Sequence, residues 1–257
     1  MNEYKFDAKK TRDDLIQWIR DWFAVNGPDC NVVIGISGGK DSTIAAALCA
    51  EALGKERVIG VLMPNGNQKD ISDSYRVVKH LGINYMEVNI AEAVNGIKNG
   101  IRAAQVNGKT NMPLFNFTNQ MEFNIPPRVR IATLYAVSQC NNGRVLATNN
   151  YSETKLGWFT KGDNLADFLP FVNLTATEII EIGKVMDLPI DLVVKRPADG
   201  LTAKTDEDNF GFTYAEFDKY LRTGVCENAE HKALMDARMK ANAFKSMPIA
   251  SFVPTLV

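Results

Sequence analysis

The sequence predicts an α/β protein with a doubly wound, mainly parallel sheet flanked by helices on both faces. One supporting observation is a β-prone apolar run at residues 32–36, which ends abruptly in serine, glycine and a charged pair. A second is the segment behind it, residues 42–53, whose alanine-rich and leucine-rich composition is typical of a helix. A third is that strands and helices alternate along the chain, which is typical of right-handed parallel βαβ units.

The first half of the chain supplies three of the predicted strands. Residues 8–25 form an amphipathic helix, because Leu15, Ile19 and Phe23 fall on one face at helical spacing. A glycine at position 82 ends a later helix and separates it from the next strand. The predicted strands are residues 32–36, 57–63 and 84–88, and the predicted helices are 8–25, 42–53, 72–81 and 91–104.

The second half is predicted to be mostly helical around one more strand. The strand is residues 144–147, and the helices are residues 128–139, 175–186, 214–221 and 229–243. Two stretches, residues 107–127 and 196–211, are predicted to be irregular because they are rich in Asn, Pro, Gly and charge.

Composition excludes several classes of function. The chain has 257 residues, enough for one large domain, and its 29 basic and 30 acidic residues give a net charge of −1. This balance predicts no general affinity for nucleic acid or for an anionic membrane. No apolar stretch approaches the roughly 20 residues of a membrane helix, and the N-terminus has no signal core. We therefore expect a cytoplasmic protein whose scattered cysteines, Cys30, Cys49, Cys140 and Cys226, are reduced thiols.

The junction after the first strand is the most informative stretch. Ser37-Gly38-Gly39-Lys40-Asp41-Ser42 connects a buried strand to the beginning of a helix. Backbone N–H groups at such a junction point outward, and the helix dipole favours a bound anion. Two adjacent glycines let the backbone approach a phosphate closely. The spacing does not fit a Walker A loop, because Asp follows the lysine, and it does not fit a dinucleotide Gly-x-Gly-x-x-Gly motif.

The parallel sheet predicts where other functional groups converge. Ligands in open α/β sheets bind beyond the carboxyl ends of the strands. Three segments lie there, namely residues 37–42, 63–70 and 148–153. The first segment contains Asp41 and the third contains Glu153, so two carboxylates are expected at the same edge of the sheet.

The loop at residues 37–42 resembles the pyrophosphate loop of the N-type ATP pyrophosphatases, which are adenine nucleotide α-hydrolase-like enzymes. Further motifs narrow the resemblance. An Arg-x-Arg helix at Arg128, a strand end at Thr148, then Glu153, then Phe159-Thr160-Lys161 and Ala166-Asp167 occur in an order similar to that in ammonia-dependent NAD synthetases. The similarity runs from about residue 15 to residue 252. It implies a Rossmann-like fold of the ATP pyrophosphatase type.

The resemblance also implies the reaction and its participants. These enzymes use ATP as co-substrate, with Mg²⁺, to adenylate the carboxylate of deamido-NAD (nicotinic acid adenine dinucleotide), and ammonia then displaces AMP. The family members are homodimers. Because the sequence begins at the synthetase domain, we expect residues 1–257 to form a single NAD synthetase domain without a glutaminase domain.

Residue by residue, the resemblance implies two groups of contacts. Catalytic roles fall to Lys40, Asp41 and Glu153, and the two carboxylates are the Mg²⁺ ligands. The expected ATP contacts are Gly35, Ile36, Ser37, Gly38, Gly39, Lys40, Asp41, Ser42 and Thr148. The expected deamido-NAD contacts are Arg128, Lys161, Asp167 and Lys245.

The chain departs from the family pattern at three positions. Ala176 and Ala198 stand where the family commonly has a lysine and a hydroxyl residue, and Phe244 replaces a histidine before Lys245. Residues 199–211, which carry several charges among glycines, are either a solvated loop or a lid over ATP. His80 and His231 are expected on helices and have no catalytic role.

Two alternatives stay open at the level of sequence. One is another N-type ATP pyrophosphatase, which performs GMP synthetase-like amination or tRNA thiolation. The scattered cysteines and balanced charge do not favour a thiolase. The other is a nucleotide-binding relative without turnover, which the departures at Ala176, Ala198 and Phe244 suggest and the retained Asp41 and Glu153 oppose.

Overall fold

One parallel sheet of four strands organises the part of the chain that the computed structural model describes, residues 4–195 and 205–255. The strands are β1 (Asn31–Gly35), β2 (Val58–Leu62), β3 (Asn84–Glu87) and β4 (Gly143–Leu146). Their spatial order is β3-β2-β1-β4, with every neighbouring pair parallel. All four correspond to predicted strands, so the fold class expected from the sequence is confirmed.

Helices connect and cover the strands. They are α1 (Ala8–Asn26), α2 (Lys40–Leu53), α3 (Ile71–Leu81), α4 (Ala91–Val106), α5 (Asn119–Cys140), α6 (Tyr151–Leu156), α7 (Ala176–Lys184), α8 (Ile190–Val193), α9 (Asp206–Phe210), α10 (Tyr214–Thr223) and α11 (Ala229–Asn242), with short 3-10 turns at Lys55–Arg57 and Ala243–Lys245. Within the described ranges, no helix is both long and apolar enough to cross a membrane.

Helices cover both faces of the sheet around β1, whereas the residues of the edge strand β3 are exposed. On one face Val32 and Ile34 of β1 pack in a core that includes residues of α1, α2, α3 and α7. On the other face Val33 of β1 packs with residues of α4 and α5. Successive side chains of a strand point to opposite faces, so a continuous apolar run such as 32–34 serves both cores.

The strand order reverses at β1, and this reversal determines where a ligand-binding crevice forms. The chain moves from β1 to β2 and β3 on one side, and β4 then pairs with the other side of β1. The loops after β1 and β4 therefore leave the sheet in diverging directions, and the crevice between them is where such sheets bind ligands.

The prediction that residues 107–127 are irregular was wrong for their second half. Helix α5 begins at Asn119, where the Thr118 hydroxyl caps the Met121 N–H, and it continues through Pro126 and Pro127. Two prolines remove two helical N–H donors. The cap and the core contacts of Ile125 and Val129 nevertheless keep this segment helical.

The prediction of an irregular stretch at residues 196–211 was also wrong for Asp206–Phe210, which form a helix. Thr205 forms a reciprocal capping box with Asp208 and starts α9, which ends at Gly211 in a left-handed conformation. Residues 196–204, which include Ala198 and much of the lid expected at 199–211, lie outside the described residues. The short helices α6 and α8 were not predicted, because four to six residues carry too little periodicity.

Candidate active site

The loop after β1 forms a tight cradle held by its own hydroxyl groups. The Ser37 hydroxyl accepts a hydrogen bond from the Gly39 N–H at 3.2 Å, and the Ser42 hydroxyl accepts one from the Ser37 N–H at 3.3 Å. The Ser42 hydroxyl also donates to the Gly39 carbonyl at 3.1 Å. Both serines predicted as phosphate contacts therefore also fix the loop backbone.

Gly38 is the position where the cradle requires glycine. Its φ is +76°, in the left-handed region. A Cβ there would lie 2.8 Å from Cβ of Asp73 and 2.9 Å from the Ser74 backbone nitrogen. The loop is thus pressed against the N-terminal turn of α3, and this packing keeps its outer side available for an anion.

Lys40 and Asp41 form an ion pair at the start of α2. The Lys40 ammonium lies 2.6 Å from Oδ2 of Asp41, and the exposed fractions of the two side chains are 3% and 17%. Burial acts to lower the pKa of Lys40, but the charges of Asp41, Glu153 and Asp218 outweigh it and raise this pKa. Lys40 is therefore a charged ammonium that neutralises the carboxylates around it.

Glu153 approaches the Lys40–Asp41 ion pair from the segment that follows β4. It occupies the first turn of α6, where its carboxylate accepts from the Asn150 N–H at 3.2 Å, while Asn150 Oδ1 accepts from the Glu153 N–H at 2.9 Å. Asn150 is fully buried, and its side-chain nitrogen lies 3.4 Å from Oδ1 of Asp41. This capping box brings the two predicted metal ligands together.

The electrostatics of Glu153 indicate a site for a cation. Burial, together with the neighbouring charge of Asp41, raises the pKa of Glu153 to about 8, while Lys40 opposes the shift. Two carboxylates that repel each other beside a phosphate cradle fit Mg²⁺, which binds one or two carboxylates together with phosphate oxygens and water. Among the described residues no group of three or more His, Cys, Asp or Glu lies together as a metal site.

A buried carboxylate on α10 holds α6 in place. Asp218 of α10 accepts hydrogen bonds from the Ser152 hydroxyl at 2.5 Å and from the Thr177 backbone and hydroxyl, both at 2.8 Å. The Ser152 oxygen in turn accepts from the Ala176 N–H at 3.0 Å. These bonds tie α6, α7 and α10 together next to Glu153. Ala176 therefore contributes its backbone here, where the family pattern has a lysine side chain.

The predicted dinucleotide contacts form a second cluster on the α5 side. The Arg128 guanidinium donates to the Lys161 carbonyl at 3.2 Å, so these two residues are adjacent. Lys245 donates to the carbonyls of Gly157 at 2.7 Å and Phe159 at 3.0 Å. Burial lowers the pKa of Lys245. Three cations from separate segments thus lie close together.

Phe244 and Asp167 each have a defined position in or near this cluster. The Lys161 ammonium lies 5.6 Å from the ring centroid of Phe244. Phe244, which stands where the family pattern has a histidine, therefore makes a cation–π contact with Lys161. Asp167 accepts from the Val145 N–H at 2.6 Å and from the Tyr135 hydroxyl at 3.4 Å. Its carboxylate is therefore anchored to the edge of β4, which is a structural role beside the predicted one.

Sequence reasoning gave no role to Asp163, which lies among these cations. Oδ2 of Asp163 accepts from the Thr160 N–H at 3.1 Å, whereas Oδ1 is buried without a hydrogen-bond partner among the residues that the structure describes. Burial raises the pKa of Asp163 to about 6, opposed by the Thr160 N–H and by Arg128 and Lys245. The signal in the sequence, Gly162-Asp163, is also typical of a plain turn. Asn150 and Asp218 were missed as well, because only the fold brings them to the site.

Other predicted residues occupy simpler positions. Thr148 follows β4 at the carboxyl edge of the sheet and is half-buried. His80 is exposed at the end of α3, where its ring lies 2.7 Å from the Asp187 carbonyl. His231 lies in α11 beside Glu216, at 2.8 Å. Neither histidine contacts the cradle or the cation cluster.

Comparison with known proteins decides the family. The sequence profile described as "NAD synthase" matches residues 12–251. The chain belongs to the NAD synthase family. Among curated relatives, the NH(3)-dependent NAD(+) synthetase of Finegoldia magna is 36% identical over 247 residues, which cover 95% of each chain. The family uses ATP, and membership makes this chain a ligase of NAD biosynthesis.

Solved structures agree in fold. NMN synthetase from Francisella tularensis superposes with a TM-score of 0.84 at 29% identity, covering 98% of this chain and 100% of that one. The NH3-dependent NAD synthetase from Campylobacter jejuni superposes with a TM-score of 0.73 at 27% identity, covering 97% and 100% of the two chains. The Rossmann-like architecture is therefore shared over nearly the whole length of this NAD synthase family member.

Proposed function

We propose that this chain amidates deamido-NAD to NAD with ammonia, using ATP and Mg²⁺ and releasing AMP and pyrophosphate. One observation carries the proposal. Asn150 joins Asp41, at the phosphate cradle after β1, to Glu153, at the segment after β4. A phosphate cradle beside two converging carboxylates suits cleavage of ATP between its α- and β-phosphates.

The chemistry requires activation of a carboxylate. Hydroxide is a poor leaving group, so the nicotinate carboxylate first attacks the α-phosphorus of ATP, and the bond to pyrophosphate breaks. Ammonia then attacks the acyl carbon, the C–O bond between that carbon and the phosphate oxygen of the mixed anhydride breaks, and AMP leaves with the former carboxylate oxygen. A proton is lost from the attacking nitrogen. The tasks of the protein are in-line positioning, charge neutralisation and exclusion of water.

On the ATP side, the loop from Gly35 to Ser42 holds the departing pyrophosphate with backbone N–H groups and two hydroxyls. Asp41 and Glu153 would hold Mg²⁺, which supplies charge neutralisation to the phosphates when bound. Lys40 keeps the carboxylate cluster close to neutral, and Thr148 contacts ATP from the end of β4. Gly35 and Ile36 shape the entry to the loop.

On the dinucleotide side, Arg128, Lys161 and Lys245 supply the positive charge that a dinucleotide with two phosphates needs. Their clustering supports this assignment. Asp167 is proposed to contact the dinucleotide through the oxygen that Tyr135 reaches at 3.4 Å. Asp163, whose Oδ1 has no hydrogen-bond partner in the described part of the chain, is proposed to offer that oxygen to the bound substrates.

A homodimer is proposed as the working form. Large apolar side chains are exposed along α4, the following segment and the start of α5: Ile97 is 45% exposed, Met112 60%, Leu114 78%, Phe115 45% and Phe123 42%. Several large exposed apolar side chains on consecutive segments are typical of a subunit interface. Light scattering coupled to size exclusion would give twice the chain mass, and a monomer at micromolar concentration would contradict the proposal.

The remaining expectations are consistent with this reaction. All substrates are small and water-soluble, so we propose that the enzyme works in the cytoplasm without a nucleic-acid or membrane partner. That residues 1–257 act as a single synthetase domain without a glutaminase domain stays a prediction.

The deciding experiment compares substrates. Purified protein with ATP, MgCl₂ and ammonium chloride should release AMP and form NAD when deamido-NAD is supplied. Because one structural relative is an NMN synthetase, nicotinic acid mononucleotide is the competing substrate and is assayed in parallel. Xanthosine monophosphate tests the GMP synthetase-like alternative. No product from deamido-NAD, with product from either competitor, would overturn the proposal.

A further inference from the structure

Arg130 has no role in the site as described, and its position is informative. Helix α5 runs antiparallel to the strands, because it leads through a short turn into β4. Leu134 packs level with the end of β1, since a Cβ on Gly35 would lie 3.7 Å from its Cδ1. Arg130 is one helical turn closer to the N-terminus of α5, about 6 Å further along the axis at 1.5 Å per residue. It therefore lies above the carboxyl edge of the sheet, at the height of the phosphate cradle.

The contacts of Arg130 leave most of its guanidinium unused. Nε donates to the carbonyl of Met63, the residue directly after β2, at 3.2 Å. Within residues 4–195 and 205–255, no carboxylate forms an ion pair with Arg130, whereas Lys40 in the same region has Asp41. Burial lowers the pKa of Arg130. The four other N–H donors have no protein acceptor in the described part of the chain.

A desolvated cation without a counter-charge is costly to the folded protein. Such a group persists where a ligand supplies the missing charge, and the guanidinium fork matches the oxygens of a phosphate. We propose that Arg130 binds a phosphate group of the ATP held by residues 37–42. This inference rests on the proposed function, because it requires ATP in that cradle.

The two arginines of α5 point to different substrates. Arg128 contacts the carbonyl of Lys161, in the segment that follows β4 and α6, whereas Arg130 contacts the carbonyl of Met63, at the end of β2. Two residues along a helix correspond to about 200° of rotation, so the side chains leave α5 in nearly opposite directions. β1 lies between β2 and β4. Arg128 therefore faces the dinucleotide side of the crevice, and Arg130 faces the ATP side.

The test is the affinity for ATP and for inorganic pyrophosphate, measured by isothermal titration calorimetry with MgCl₂ present. Arg130→Gln should weaken ATP binding by about 10- to 100-fold, the usual range for a charged hydrogen bond. Arg130→Lys keeps the charge without the fork and should lie between wild type and Arg130→Gln. Adenosine binding should be unchanged, because it has no phosphate.

Arg144→Gln is the matched control. Its Nε also donates to a backbone carbonyl, that of Asn26 at 2.9 Å, but at the opposite edge of the sheet. It should bind ATP like wild type. If Arg130→Gln binds ATP as tightly as wild type, Arg130 does not bind a phosphate of ATP and the inference is wrong. If wild type itself binds no ATP, the proposed function fails instead. Loss of adenosine binding together with ATP binding would also overturn the phosphate assignment.

Discussion

The side-chain nitrogen of Asn150 lies 3.4 Å from Oδ1 of Asp41, 109 residues earlier in the chain. Asn150 also caps α6 through its Oδ1. One buried amide therefore sets both the conformation of the segment after β4 and its distance from the segment after β1. The spacing of the two carboxylates depends on this contact.

Asn150→Ala should separate stability from catalysis when it is compared with Asn228→Ala. Asn228 caps α11 in the same way, with its Oδ1 accepting from the Glu230 and His231 N–H groups, far from the cradle. Each substitution should lower the free energy of unfolding by about 1 kcal/mol. Only Asn150→Ala should also lower kcat, by at least about tenfold, because it removes the link between Asp41 and the helix that carries Glu153. Equal kcat values for the two variants would exclude a positioning role for Asn150.

Glu153→Gln should abolish turnover while keeping or increasing stability. The charged form of Glu153 is disfavoured in the folded chain, as its pKa of about 8 indicates. Removing the charge relieves burial and repulsion by Asp41, but it also removes a metal ligand. Turnover should fall at least about 100-fold, since metal and phosphate positioning supply much of the catalysis. Mn²⁺ binding followed by electron paramagnetic resonance should weaken in parallel. An active Glu153→Gln enzyme would refute the metal assignment.

Gly38→Ala and Gly66→Ala form a matched pair for the cradle. Both glycines have nearly the same φ, +76° and +78°. An added Cβ collides with Asp73 and Ser74 at Gly38, whereas at Gly66 nothing lies within 4 Å. Each substitution should cost about 1–2 kcal/mol for the left-handed conformation. Gly38→Ala should cost more and should weaken pyrophosphate binding, which calorimetry measures. Identical effects would show that the close packing against α3 is unimportant.

Asp163 should make stability depend on pH between about 4 and 6. Its pKa rises from the ordinary value of 3.8 to about 6 in the folded chain, mainly through burial. The folded state therefore keeps a proton that the unfolded state has lost, so stability falls as pH rises through this window. Asp163→Asn has no carboxyl group to titrate, so its stability should not fall through this pH window. The variant should be more stable than wild type above pH 6, by about 3 kcal/mol, with the difference vanishing near pH 4. Urea unfolding across this range measures the effect, and a constant difference would contradict it.

Much of the fold followed from patterns that are local in the sequence. The apolar runs at residues 32–36 and 57–63 are long enough to be recognised as buried strands, and both were confirmed. The start of α5 was missed because Pro126 and Pro127 favour a break, and tertiary packing of Ile125 outweighs that preference. Short helices such as α9 depend on a capping box that is visible in Thr205 and Asp208 only in retrospect.

The candidate site was predictable where its residues form one continuous motif. The loop at residues 37–42 can be recognised in the sequence by its glycines and hydroxyl residues. Glu153 could be named from its place after a strand, but its distance from Asp41 depends on Asn150, which resembles an ordinary helix cap. Arg130 could be recognised only as the second arginine of the Arg-x-Arg pattern, and Asp218 carries no signal of its own, since an arginine or aspartate on a helix is usually solvated. Their burial becomes visible only when separate helices pack.

The most direct test of the account is the fate of oxygen during turnover. Deamido-NAD labelled with ¹⁸O in its nicotinate carboxylate is converted with ATP, MgCl₂ and ammonia, and the products are examined by mass spectrometry. The account predicts NAD formation with one labelled oxygen in the phosphate of AMP and none in pyrophosphate. Label in pyrophosphate, or NAD formed without labelled AMP, would contradict adenylation at the cradle between Asp41 and Glu153.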